Sequence, residues 1–271
     1  MRNDNLKKMQ FPEQTPTQQA GYTPPTDFVL LPSKGRFYPE GHPLHNQEDV
    51  EITFMTTKEE DILISPAYNK KGVVFDKLIE SIVVDKRIKA STLLMGDKSA
   101  IIVNARMNAY GEDYKINVEC DGCYHSNETV IDLSLVKPLE TNTEIIEFTE
   151  NGTFIVTLPK SQAVLEAKLL TTEDEKAISK KAEQKSRHNL PESPATDRLR
   201  QMVVSVNGNT DLIAIGSFIS SLPIADSRYI KKIHNEITPD IDFTYSLTCE
   251  ECGKVCEGGV PILGTFFWPD E

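Results

Sequence analysis

The sequence predicts an α+β protein in which a β-rich base is interrupted by a helical insertion. Three observations carry that prediction. Two Cys-x-x-Cys knuckles, Cys120-Asp-Gly-Cys123 and Cys249-Glu-Glu-Cys252, each follow an alternating, strand-like run, Tyr114–Glu119 and Phe243–Thr248. The chain between positions 160 and 238 has mostly helical spacing. The segments on either side return to a period of two.

Thiolates two residues apart on a tight turn can both reach one ion, and two such turns complete a tetrahedral four-sulfur site. The expected ligands are therefore Cys120, Cys123, Cys249 and Cys252, and the expected ion is zinc. Cys256 is a fifth thiol and His125 a nitrogen donor, and either could replace one of the four. Four protein ligands leave no open position for water or substrate, so the expected role is structural and the base reads as zinc-ribbon-like. Such an ion would tie residues about 125 positions apart and loop out everything between them.

With 271 residues, the chain is long enough to bury a substantial core. The formal net charge of -12 opposes nucleic-acid phosphate, which disfavours DNA or RNA as a partner. No apolar run approaches the ~20 residues that span a bilayer. The segment Met1–Lys8 lacks the apolar stretch of a signal peptide, so reduced cysteines are expected. In a reducing compartment, paired Cys-x-x-Cys turns favour a metal over disulfides.

Residues 1–26 are rich in Gln, Thr and Pro and read as a flexible arm. The α+β base spans 27–159 and carries the first knuckle. Within it Glu51–Thr56 alternates as a strand, and Thr57 with Glu60 forms a capping-box pattern that opens a helix. Residues 65–72 read as a loop. Val74, Leu78, Ile79 and Ile82 have helical spacing, and another helix is expected from near Asp97, with Gly111 ending that region. Strands are expected at 113–120 and 129–134, then at 144–150 and 153–158. The last two are joined by Asn151-Gly152, a hairpin signal because both residues tolerate positive φ.

The insertion spans 160–238, with helices expected at 162–170, through the charged run 173–185, at 196–206, at 211–222 and at 225–236. Residues 239–271 return as strands with the second knuckle and complete the base.

The sequence nominates no catalytic centre. None of His42, His45, His125, His188 and His234 lies in an HExxH pattern. Ser33-Lys-Gly-Arg lacks the spacing of a phosphate loop, and Gly258-Gly259 lacks the helix that a dinucleotide motif requires. The acidic clusters at 59–61 and 173–175 sit where they complement helix N-termini. The chain is expected not to be an enzyme. Two apolar segments stand out as core or as anchors for a partner: Phe28, Leu31, Phe37 and Tyr38 near the start, and Phe266, Phe267 and Trp268 near the end.

Several short runs, in order, carry a family resemblance. They are Leu31-Pro-Ser-Lys-Gly-Arg-Phe-Tyr-Pro, Met55-Thr-Thr-Lys-Glu-Glu-Asp-Ile-Leu, Lys71-Gly-Val-Val-Phe-Asp-Lys-Leu, Leu94-Met-Gly-Asp-Lys, Ala109-Tyr-Gly-Glu-Asp-Tyr, the Cys-x-x-Cys and the closing Phe-Phe-Trp-Pro. Together they resemble the T4-type bacteriophage base plate protein family, from about residue 28 to the end. The resemblance implies a baseplate hub assembly protein or hub subunit of a contractile tail. Its partners would be other hub or tape-measure proteins, and it would be found in the host cytoplasm during assembly or in the virion baseplate. It brings no catalytic residues, and the four-cysteine site is read from spacing alone. Two rival expectations are a nucleic-acid-binding zinc-ribbon regulator and a lytic or processing enzyme of the tail tip.

Overall fold

The computed structural model describes residues 23–262 and 264–267. Of the expected flexible arm, residues 1–22 lie outside the described residues, and Thr26 already belongs to the first strand. That strand, β1 (Thr26–Leu30), pairs antiparallel with β2 (Asp49–Thr53) and sets Val29 opposite Val50, both buried.

Helix α1 (Thr57–Ile64) is capped one residue earlier than expected. The Thr56 amide donates to Glu59 Oε2 at 2.9 Å, and Lys58 N donates to Thr56 Oγ1 at 3.3 Å. Tertiary structure selects this box over Thr57 and Glu60, because Glu59 also accepts the Ser81 hydroxyl at 2.5 Å. The expected loop at 65–72 contains a short helix, α2 (Pro66–Lys71). Pro66 at its first turn needs no amide partner, and Gly72 ends it in the left-handed region. Helix α3 (Val74–Ile82) buries Val74, Leu78, Ile79 and Ile82, the side chains its spacing nominated.

Helix α4 (Met95–Tyr110) runs through the middle of the core and buries residues on every side, from Asp97 and Lys98 to Ala105 and Arg106. A helix covered all round must admit close neighbours. At Gly96 a Cβ would lie 2.2 Å from Pro239 O, so only glycine lets the chain before the second knuckle pass there. Strands β3 (Asp113–Glu119) and β4 (Ser126–Asp132) then form a hairpin. A two-residue strand, β5 (Lys137–Pro138), follows.

Strands β6 (Glu147–Phe148), β7 (Thr153–Thr157), β8 (Val164–Lys168) and β9 (Val203–Val206) form one antiparallel sheet in that order. The β6–β7 turn differs from the expected Asn-Gly form. Gly152 N donates to Thr149 O at 3.1 Å, and only Gly152, at φ 70°, is left-handed. This makes a three-residue loop with its bulge at glycine.

Two expected helices are corrected. Residues 164–168 are a strand although Leu, Glu, Ala and Lys are good helix formers. Ala163, Leu165, Ala167 and Leu169 alternate into the core, and pairing with β7 and β9 outweighs the weak propensity. The helix expected at 196–206 is α6 (Pro194–Met202), and the β-branched run after it becomes β9. Before it, α5 (Thr172–Arg187) carries the charged run, capped by Thr171 and Asp174. Arg198 donates to Glu175 at 3.0 and 2.7 Å, and Lys181 and Lys185 both reach Asp197.

Helices α7 (Leu212–Ser220) and α8 (Ile224–Ile237) follow. Strand β10 (Ile241–Asp242) pairs antiparallel with β5. Strands β11 (Thr244–Thr248) and β12 (Val255–Gly259) form the last hairpin. Among the described residues there are eight α-helices and five small antiparallel sheets, a mixed architecture with one large apolar core and a second, small one at the cysteines.

Candidate metal centre

Each Cys-x-x-Cys lies at the tip of a hairpin, β3–β4 or β11–β12, and the two tips have the same backbone plan. Cys120 N donates to His125 O at 2.9 Å, and Tyr124 N returns to Cys120 O at 2.8 Å. Five and four residues beyond Cys249 the pattern repeats, with Cys249 N to Lys254 O at 2.8 Å and Gly253 N to Cys249 O at 2.9 Å. The residue four past the first cysteine is left-handed in both, Tyr124 at φ 61° and Gly253 at φ 71°. The turn thus folds each pair of thiols to one side, whatever residue occupies the left-handed position.

The two tips face each other. Cys120 Sγ lies 3.6 Å from Cys252 Sγ, and Cys123 Sγ lies 3.6 Å from Cys249 Sγ. All four sulfurs are within 4.8 Å of one another, and all five cysteines are free thiols. Thiolates around a zinc ion at ~2.3 Å are separated by about 3.8 Å, so the spacing is compatible with a tetrahedral metal site. Cys256 is buried beside this set and groups with Cys120 and Asp121, not with the other three. The His125 ring belongs to neither group; what His125 contributes is its main chain, the carbonyl to Cys120 N and the amide to Cys123.

The thiols differ electrostatically. The Gly122 and Cys123 amides aimed at Cys120 bring it down to about 6, against the opposing effect of burial. The Cys252 amide likewise lowers Cys249. Cys123 receives the His125 amide, yet burial and the neighbouring thiols push it up to about 12. Four thiolates this close repel one another unless a cation sits among them, and the donor set suits a soft or borderline divalent ion.

Residues without a sequence signal hold the tips together. Asn127, buried on β4, donates to Cys249 Sγ at 3.6 Å and to Val118 O at 3.3 Å, and accepts from Glu250 N at 3.0 Å. It fastens one knuckle to the other. Lys254 of the second knuckle reaches Asp121 of the first at 2.8 Å. Ile116, Val118, Tyr245 and Leu247 pack around the cysteines, so the two hairpins stack through their faces.

Arg106 anchors the start of β3 and the Phe266 turn to α4. Its guanidinium donates to Phe266 O at 3.0 Å, Gly111 O at 3.1 Å and Asp113 O at 3.3 Å, and stacks over Tyr114. At the N-terminus of the same helix, Asp97 accepts from Ser33 N (2.9 Å), Ser33 Oγ (2.6 Å) and Tyr38 Oη (2.7 Å). Burial raises the Asp97 carboxyl above its ordinary range. The Leu31–Pro39 loop is therefore tied to the core from beneath.

That network corrects the candidate partner anchors. Leu31, Phe37, Tyr38, Phe266 and Phe267 lie inside the chain's own core, with Phe266 edge-on to Tyr114 and Phe243. Large apolar side chains find enough neighbours within the chain to be removed from water there. Phe28 alone is exposed, at 61%, and Trp268 lies outside the described residues.

A mixed α/β body that uses its buried polar groups to fix loops, and brings a four-thiol cluster together at one end, has the features of a structural scaffold. The chain belongs to the T4 bacteriophage base plate protein family, whose model matches residues 27–268. No curated protein and no solved structure matches it. Membership supports a structural role in the phage baseplate, in contact with other phage structural proteins, and suggests a non-enzymatic one. Among the described residues no helix is long and apolar enough to cross a membrane.

Proposed function

We propose that this protein is a non-catalytic assembly factor or minor component of the baseplate hub of a contractile phage tail, acting in the host cytoplasm and holding other hub or tape-measure proteins. In this reading Cys120, Cys123, Cys249 and Cys252 bind one structural zinc ion, which fixes two hairpins 126 residues apart as a rigid end. The observation that supports it most is the convergence of four thiols, matched in backbone plan, in a chain of a baseplate family. The ion supplies cross-linking alone. Asn127 and Lys254 hold the two tips in register.

A surface suited to a structural partner is the start of α7. Leu212 and Ile213 are exposed at 79% and 83% and share a surface depression with Ile215, Lys181 and Arg200. Apolar clusters of this kind mark contact sites. Acidic residues at the tips (Asp121, Glu250 and Glu251) give no support to the nucleic-acid reading.

Elemental analysis of purified protein tests the clamp. About one zinc per chain is expected, lost in Cys120→Ser with a lower melting temperature. Less than half an equivalent, with an unchanged melt, refutes it. Quantitative mass spectrometry of finished particles separates the roles: a hub component is retained in the virion, and an assembly factor is present only in infected-cell lysate.

A further inference from the structure

Among the described residues, strand β3 is hydrogen-bonded on one side only, to β4, and its sheet ends there. The phase of that pairing follows from its two ends. Cys120 N donates to His125 O, and Leu133 N donates to Glu112 O. Even-numbered residues of β3 therefore exchange bonds with β4, while Lys115, Asn117 and Glu119 aim their N–H and C=O groups the other way. Asp113 obeys the same rule, and its outward carbonyl is taken by Arg106. Among the described residues no such partner meets the backbone of Lys115, Asn117 or Glu119.

This edge fronts a groove of about 460 Å³ lined by every residue from Tyr114 to Glu119 and floored by Tyr245, Gly259 and Pro261. Successive strand side chains point to opposite faces, so a strand lines a groove with every residue only when its edge faces in.

We propose that this edge is an interface between two copies of the chain, their β3 strands paired antiparallel about a two-fold axis through Asn117. The sequence of the edge is self-complementary in that register. Asn117 faces its counterpart, Lys115 faces Glu119 of the second copy, and Glu119 faces its Lys115. These three positions are the ones whose backbone groups point outward, so each pair exchanges two N–H···O bonds. On the inner face Ile116 meets Val118 of the second copy in the closer, non-hydrogen-bonded spacing. A shift of two residues sets Lys115 opposite Asn117 and loses the match. Charges on an open edge ordinarily prevent pairing. Here the two signs lie symmetrically about Asn117, so the antiparallel copy meets opposite charges, which specifies register. The inference is independent of the baseplate reading and of which ion the cysteines hold.

The test is sedimentation of the full-length, metal-loaded protein over a concentration series. A monomer–dimer equilibrium is expected. Lys115→Glu sets like charges opposite each other at both symmetry-related positions and should weaken the dimer about tenfold or more. The swap Lys115→Glu/Glu119→Lys should restore it. A monomer at every soluble concentration, or a dimer indifferent to Lys115→Glu, overturns the proposal; the second result would place the contact elsewhere, such as α7. Failure of the swap to rescue also overturns it. Hydrogen exchange on the unmodified protein covers the case of a variant that does not fold. Protection of the Lys115, Asn117 and Glu119 amides should rise with concentration, and concentration-independent exchange at all three contradicts the interface.

Discussion

Arg106 offers the most direct test of how the start of β3 and the Phe266 turn are joined to α4. It is 1% exposed and has no carboxylate partner among the described residues; three main-chain carbonyls accept from it. Arg106→Met keeps the aliphatic stem but ends where the guanidinium begins, so it removes every donor together with the cation over Tyr114. The three carbonyls are not equivalent. Phe266 is fully buried, so its carbonyl loses the charged donor that holds it, at about 1–3 kcal/mol. Gly111 and Asp113 are exposed residues whose carbonyls can turn to water, which limits their loss to about 0.5–1 kcal/mol each. Relief of burying the guanidinium offsets part of this, since burial already lowers its pKa. The net expectation is a loss of about 2–4 kcal/mol, or roughly 4–16 °C in melting temperature for a chain of this size. Urea unfolding followed by circular dichroism measures it. Hydrogen exchange should also show the Phe266–Phe267 turn and the start of β3 opening before the rest. A variant as stable as the wild type would mean that packing of the aliphatic stem, not the guanidinium, holds this junction, and the reasoning fails.

Two glycine substitutions separate sterics from backbone strain. Gly96→Ala should cost several kcal/mol, on the order of a core overpacking, because its Cβ meets Pro239 O and the Asp240 backbone. Gly253→Ala meets nothing within 4 Å and should cost only about 1 kcal/mol, from its left-handed φ alone. Equal melting temperatures for the two would contradict both arguments. A third prediction concerns acid. Asp197 is buried, which raises its pKa, but Lys185, Lys181 and Ser193 hold it down to about 2. A carboxyl depressed in the folded state stabilises above its unfolded value near 3.9. That contribution is lost as pH falls toward about 2. The α5–α6 contact should therefore loosen between about pH 4 and pH 2, and Asp197→Asn should remove that step from an acid titration of stability.

What could be read from the chain was whatever depends on short spacing. Two thiols three positions apart on a turn after a strand mark a knuckle because the turn itself aims them, and Tyr124 and Gly253 build the same turn from different residues. The spacing of Leu78, Ile79 and Ile82 fixed which face of α3 goes inside. Spacing failed where two periods fit the same letters. Residues 162–170 satisfy a helix and a strand alike, and only neighbours at β7 and β9 decide.

Long-range contacts left no mark in the sequence. Asn127 resembles any polar strand residue until its amide is found bridging the two knuckles. Asp97 and Arg106 sit in a helix where charge ordinarily means solvent. The aromatic residues that resembled anchors for a partner, from Phe37 to Phe267, bury themselves instead, and the exposed apolar side chains include Leu212 and Ile213. Alone, the sequence determined the local units: the knuckles, the capped helices, the hairpins. Only the tertiary structure decided which of them touch, because a buried charge or an open strand edge is defined by what the rest of the chain places, or leaves out, beside it.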